Sequence, residues 1–465
     1  MKKYINLKKA IFKNIGYLLD KREVLHSLEE YVSKIKFISD YAVYGVAFPE
    51  INLGFQAKNS CLSGSYFLGK IEVLNSIIIN SDLRGDELKR AGDVYQKGEL
   101  EVPLCQDEKL LVQDSLFVDT LVHNCSHDLE NLEVLLIKNT ISLNWANIHG
   151  TSTRFSLILP LATVDLSIVS RSVVGEFSYV QGDLQGEIVE PGTILIKGAE
   201  FLFKYRHGDN LKHYVCFAEN SLKGEIIDFL EGKREAFKNV FNTIPEEKSI
   251  AQGSFASPYA VYKGKVEVGE NVLISQKAYL EDVFLGKGAN AQENCYIINS
   301  YLSGYNVSAH GSKIINTFLE ENVFVGFNSY LKAKDKYGLK IGKGSVVMPH
   351  TIIDVDKELE IPAGTVVWGI IRGKSDLTEN SLSLEEFKKI KGKYSLGNLE
   401  FEGDGERFIS AFAHRIEHIL EANGAFFDGK KGRGHAQNTQ KTSFHLLSSY
   451  TKGDYKGIMS DINLS

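Results

Sequence analysis

A mainly β protein wound from parallel coils is the fold class this sequence predicts, and three observations predict it. Three consecutive 18-residue blocks starting at Tyr279, Ile297 and Ile315 (YLEDVFLGKGANAQENCY, IINSYLSGYNVSAHGSKI, INTFLEENVFVGFNSYLK) repeat one pattern of small, branched and polar positions. Self-similarity at a fixed period marks a stacked architecture. The segment EIPAGTVVWG at 360–369 has an upstream counterpart, EIVEPGTILIKG at 187–198. The stretches before each are short strands without helical period. The sequence therefore predicts two parallel β-helix segments, joined by a helical connector and followed by a helical C-terminal extension.

The expected organisation runs in order. Residues 1–39 form an N-terminal helical segment. Residues 40–200 form a degenerate β-helix domain, through YAVYGVAF, SCLSGSYFLGKIEVLNSIIINSDL, LEVLLIKNTISL and SRSVVGEFSYVQ. An ordinary β-sandwich is the alternative there, because short strands look alike in both. Residues 201–250 form a helical connector, with Ile226, Ile227, Leu230, Phe237, Val240 and Phe241 as an amphipathic stripe. Residues 251–374 form the regular β-helix domain. Gly269, Gly286 and Gly304 mark its corners, where the lack of a Cβ lets the chain bend. LKAKDKYGLK at 331–340 reads as a loop between coils. Residues 375–465 form the extension: Ser383 with Glu386 makes a capping box, Phe408, Phe412, Ile416 and Ile419 share one helix face, and DGKKGRGHAQNTQKT at 428–442 reads as a mobile loop.

The IGKGSVV hexad and the exit EIPAGTVVWGIIRGK resemble the hexapeptide-repeat transferases, over roughly residues 260–375. That resemblance implies a left-handed parallel β-helix and, as an oligomer, a homotrimer. It implies transfer of an acyl group from acetyl coenzyme A or another acyl coenzyme A to a sugar or nucleotide sugar, with a histidine as general base. Imidazole suits that task near neutral pH. His310 in VSAHGSK is the first candidate, His149 in NIHGTST the second and His350 in VVMPHTII the third. Each is equally readable as a histidine that hydrogen-bonds along the stack. Gly369 stands where the family places a small residue near the pantetheine arm, so Trp368 and Arg372 would meet the nucleotide end of the donor. The chain departs from the family's continuation at Ile370, Ile371 and Arg372. Ordinary coil closure is the plainer reading of these residues.

Other chemistries find less support. A formal net charge of −6 and the lack of a dense basic patch argue against nucleic-acid binding. Five scattered cysteines without a CxxC pair support neither a disulfide framework nor a thiolate zinc site. His414 and His418 lie four apart on a helix but lack the HExxH glutamate placement, and His123 with His127 is equally bare. No metal is therefore expected. No 18-residue apolar run occurs, so no membrane span is expected and the cytoplasm is the default location. Dinucleotide, P-loop and GxSxG motifs are lacking. Two non-catalytic alternatives remain beside the enzyme: a β-helical scaffold, and a carbohydrate-binding solenoid.

Overall fold

The structure is a computed structural model that describes residues 7, 9–11, 13–16, 41–47, 54–97, 100–125, 134–218, 221–241, 250–430, 434, 442–448 and 459–464. The chain divides into two compact units. The first comprises Met1–Pro191, Cys216–Lys223 and Lys441–Ser465, and the second Gly192–Val215 and Gly224–Gln440. His127, most of residues 1–39 and most of the 428–442 loop lie outside the described residues.

The first unit is a stack of parallel coils, which removes the sandwich alternative. Alternation within each short strand sends every second side chain inward. The result is continuous buried columns one residue per coil, such as Phe67, Leu83, Val122, Ile148, Val164 and Val180. The step from Ile148 to Val164 to Val180 is 16 residues. A longer interval separates Leu83 from Val122, because an antiparallel hairpin, Val94–Lys97 with Leu100–Pro103, is inserted there. On a second face the outward column is also apolar. Leu116, Ile141, Leu157 and Val173 are covered by Leu7, Ile11 and Ile15, four apart on the N-terminal helix.

The open edge of the first coils is closed by the chain's own C-terminal strands. Thr442–Ser448 pairs antiparallel with Tyr41–Ala47, and Met459–Leu464 with Phe55–Cys61. A parallel solenoid otherwise ends in unpaired main-chain groups that recruit other chains.

In the second unit the coils run from Phe255–Ala256 to Ile370–Ile371, with Leu280, Ile297, Ile314, Leu331, Ile353 and Ile371 as one inward column. The regular step is 17 residues, Tyr279 to Tyr296 to Lys313 to Tyr330, not the 18 that block alignment suggests. Asparagine supplies many of the corners: Asn294, Asn316 and Asn328 have φ of 59°, 56° and 52°. Its short amide tolerates the left-handed region. Gly286 plays a different part from the expected bend. A Cβ there would stand 2.0 Å from the Ser303 carbonyl oxygen of the next coil, so close backbone approach is what requires glycine. Residues 331–340 are partly strand, Tyr330–Ala333 and Leu339–Ile341, and only the turn between them is extra.

The segments expected to be helical are mixed. Residues 201–250 contain the strand Phe201–Arg206 and the hairpin Cys216–Ala218 with Ser221–Lys223 before the helix Glu225–Lys233. Past the last coil, helix Leu384–Lys388 carries the Ser383–Glu386 capping box, and helix Gly405–Ala422 is capped by Asp404. Between them lies the antiparallel pair Lys391–Leu396 with Leu399–Asp404, turned at Gly397, φ 55°. Alternating short strands around a glycine turn explain why a helix does not form there.

Helix Glu225–Lys233 covers the outward column of Tyr279, Tyr296, Lys313 and Tyr330. Phe229 packs on Tyr296 and Tyr330 at 5.4 and 6.2 Å between ring centroids. Lys313 is 1% exposed, and its amine donates to Asn328 Oδ1 at 3.1 Å.

Two expectations follow. Removing residues 442–465 should lower the melting temperature and cause concentration-dependent association, read by calorimetry and light scattering. An unchanged monodisperse profile would show the strands to be dispensable. Burial pushes Lys313 down to about 7, whereas an unfolded lysine titrates at about 10.4. Between those values the unfolded chain binds a proton that the folded chain does not. Stability is therefore lost as pH falls through that window and regained as pH rises. Lys313→Met should melt higher than the wild type at pH 7, with the gap closing toward pH ~10. A gap independent of pH would overturn the assignment.

Candidate active site

In the first unit one outward position of each strand is polar where its neighbours are apolar. Arg84, His123, His149, Asp165 and Gln181 stand in register on the adjacent strands Asp82–Glu87, Leu121–Cys125, Asn147–His149, Thr163–Asp165 and Tyr179–Gln181. The inward column fixes them there, because alternation turns each of these residues away from Leu83, Val122, Ile148, Val164 and Val180.

The groups are linked along the row. Arg84 clamps Asp86 through two hydrogen bonds, Nε to Oδ1 at 3.0 Å and a terminal nitrogen to Oδ2 at 2.7 Å. The same terminal nitrogen reaches Glu87 at 3.4 Å, and Glu87 lies 3.3 Å from Nε2 of His123. The rings of His123 and His149 meet edge to face, with centroids 5.2 Å apart. Nδ1 of His149 is 2.8 Å from Asp165 Oδ1, and the Tyr179 hydroxyl donates to the other oxygen of Asp165. A carboxylate can only accept, so Nδ1 carries the proton and Nε2 carries the lone pair of the neutral His149 ring. The His149 side chain is 14% exposed and Asp165 is fully buried. A histidine backed by a carboxylate is the arrangement that a general base requires.

The second unit holds a similar pair. His310 Nδ1 lies 3.0 Å from Glu293 Oε2, and the side chains are 4% and 2% exposed. Phe327 packs on the His310 ring at 5.5 Å. His350 differs from both. It occupies a left-handed corner, φ 58°, in the position held by Gly311 and Asn328 in preceding coils, and it is fully buried. Its carbonyl oxygen contacts Nε2 of His207, which burial pushes down to about 4 and keeps neutral.

The exit turn serves coil closure. Trp368 is fully buried, with Phe203 and Phe387 edge-on at 6.1 and 6.5 Å, so its ring has no open face for a nucleotide. At Gly369, φ 80°, a Cβ would meet Tyr205 Oη at 2.4 Å and Asn380 Oδ1 at 2.6 Å. The chain's own side chains thus fill the place expected for the pantetheine arm. Arg372 is half exposed and its Nε sits 3.6 Å from Asp376. His414 and His418 lie on the solvent side of their helix.

Sequence reading misses the carboxylates. Asp165 follows His149 by 16 residues and Glu293 precedes His310 by 17, one coil in each case. Counting from each histidine by the local coil length is the signal that finds them.

Comparison with known proteins places this architecture. Residues 100–219 match a family model described as hexapeptide repeat including loop. That span covers the coils which look more degenerate in sequence. A crystal structure of a presumed acetyltransferase from Desulfovibrio desulfuricans G20 is 44% identical, covers 98% of this chain and 96% of its own, and superposes with a TM-score of 0.88. A second presumed acetyltransferase, from Bacillus cereus, is 15% identical over 38% of this chain and 94% of its own, with a TM-score of 0.24 that carries no argument. No curated protein matches. The chain belongs to the hexapeptide-repeat, left-handed parallel β-helix superfamily. Among the described residues no helix is long and apolar enough to cross a membrane.

Gly369→Ala should cost about 1–3 kcal/mol, from the left-handed backbone together with the clash. Chemical denaturation would measure it, and a loss below the experimental error would remove the packing argument.

Proposed function

We propose that this protein is an acetyltransferase that moves an acetyl group from acetyl coenzyme A to a hydroxyl or amine of a sugar or nucleotide sugar, with His149 as general base. Membership of the superfamily and the 44% identical relative support the class of reaction. The single observation that carries the residue assignment is the hydrogen bond from His149 Nδ1 to Asp165, itself bonded by Tyr179.

The acceptor's oxygen or nitrogen attacks the thioester carbonyl as Nε2 of His149 takes its proton. The carbonyl carbon becomes tetrahedral. When it collapses, the carbon–sulfur bond breaks and the departing thiolate recovers the proton from the imidazolium. Asp165 stabilises that imidazolium and keeps the ring in the required tautomer. The Glu293–His310 pair is the second reading, favoured by its 3.0 Å contact. The protein acts in the cytoplasm as a homo-oligomer, and a trimer is the form the family favours.

The test is acetyl-coenzyme A turnover with a panel of amino sugars and UDP-sugars. His149→Ala should lower kcat by about 10²–10⁴-fold, and Asp165→Asn should follow it more closely than a surface substitution would. If His310→Ala proves the more damaging change, the base moves to His310. No turnover with any acceptor, together with no thermal shift on adding acetyl coenzyme A, would leave the scaffold or carbohydrate-binding alternatives.

A further inference from the structure

Between the strands Asp82–Glu87 and Lys109–Gln113 the chain leaves the first stack as an antiparallel ribbon, Val94–Lys97 with Leu100–Pro103. Its base is tied down. Asp107 accepts from the Ala91 amide at 2.9 Å and pairs with Lys70, and Glu108 accepts from the Lys89 amide at 2.9 Å. The ribbon beyond is bare. Val94 lies opposite Pro103 and shares its face, whereas Val102 belongs to the other face, because neighbouring residues alternate. Val94 is 58% exposed and Val102 43%, so the chain covers neither face. Glu101, two residues from Pro103, is exposed on the Val94 face, and among the described residues no cation pairs with it. A two-stranded ribbon with both faces in water is marginal by itself.

The same unit also has a flat sheet face that nothing covers. Leu135, Ile137 and Val169 point into the core, so their neighbours along each strand point out. Leu136 follows Leu111 in one outward column, which Ser152 and Ile168 continue, and Val134 stands beside it. Val134 is 62% exposed and Ile168 60%. The next outward column is cationic. Lys138 lies directly opposite Arg154, and the Arg171 amide bonds the Arg154 carbonyl oxygen at 2.9 Å one coil further on. Among the described residues no carboxylate pairs with any of the three. Like charges opposed on adjacent strands repel. This face therefore offers an apolar column beside a cationic one that gains from an acidic partner.

We propose that the ribbon of one copy of this chain docks on this face of a second copy, with Val94 and Pro103 against Val134, Leu136 and Ile168, and Glu101 against Lys138 and Arg154. Charge selects the occupant. The ribbon segment DVYQKGELEVP at 93–103 carries three carboxylates and one lysine, and the face carries the unpaired cations. Both patches are apolar at the centre and charged at the side, as stable interfaces are. Ribbon and face are different surfaces of one chain, so the contact is heterologous, and a rotation that closes makes a ring. The inference rests on the homo-oligomer reading above and names the surfaces that build it.

Sedimentation velocity of the full-length protein tests it. Val94→Lys on the ribbon and Ile168→Asp on the face should each weaken self-association by more than about tenfold. Glu101→Lys and Arg154→Glu should each weaken it too, and the two together should restore it, because the swapped charges again attract. All four positions are exposed, so melting temperatures should stay at the wild-type value. A mixture of Val94→Lys and Ile168→Asp chains should form a complex of two that neither forms alone, since each supplies the surface the other lacks. An oligomer unchanged by Val94→Lys, dissociation by the face variants alone, or no complex in the mixture overturns the docking and leaves the homo-oligomer standing. A wild type that stays monomeric removes the homo-oligomer reading and this contact with it.

Discussion

The inward column is the constraint on which everything else depends. Each strand is only two to eight residues long in the regular coils, too short to be stable by itself. Stability comes from placing one branched side chain per coil directly above the last, as Ile148, Val164 and Val180 do in the first unit and Ile297, Ile314 and Leu331 in the second. A slip of one residue would turn every inward side chain outward and bury its polar neighbour. The register is therefore fixed with unusual firmness, and whatever faces outward at a given position is fixed with it.

That firmness suits a site made from several coils. A polar side chain on one strand finds its partner about 4.8 Å along the axis, on a backbone that does not move relative to its own. His149 and Asp165 need no loop to bring them together, and neither do Glu293 and His310. Rigid placement is what a base and its orienting carboxylate require, since a misplacement of about 1 Å can cost a factor of a hundred in rate. Burying such a row is expensive. The cost is offset here by pairing: Arg84 with Asp86 through two bonds, and Tyr179 with Asp165.

The sequence discloses whatever repeats locally. The coils, the Ser383 capping box and the apolar face of helix Gly405–Ala422 all rest on residues a few positions apart. The coil length shifts from 18 to 17 because branched residues recur at both ends of a strand, so block alignment tolerates a drift of one. The C-terminal strands are beyond such reading. Thr442–Ser448 pairs with Tyr41–Ala47 across nearly the whole chain, and no local pattern encodes that partner. The site divides the same way. His-Gly pairs catch the eye at His149 and His310, whereas Asp165 and Glu293 look like ordinary surface carboxylates until the coil length is known. Trp368 misleads for the opposite reason, since an aromatic beside a glycine reads alike whether it meets a ligand or, as here, Phe203 and Phe387.

The two histidine–carboxylate pairs differ in a way that bears on their use. His149 takes its carboxylate from the following coil and His310 from the preceding one, so the two rings are tethered from opposite directions along their stacks. Asp165 accepts a second bond from Tyr179, and the His310 ring packs on Phe327. A carboxylate stabilised by two donors favours its ionised form and can support an imidazolium in the transition state. In the proposed transfer, the Tyr179–Asp165 bond fits that carboxylate to the imidazolium that forms on His149.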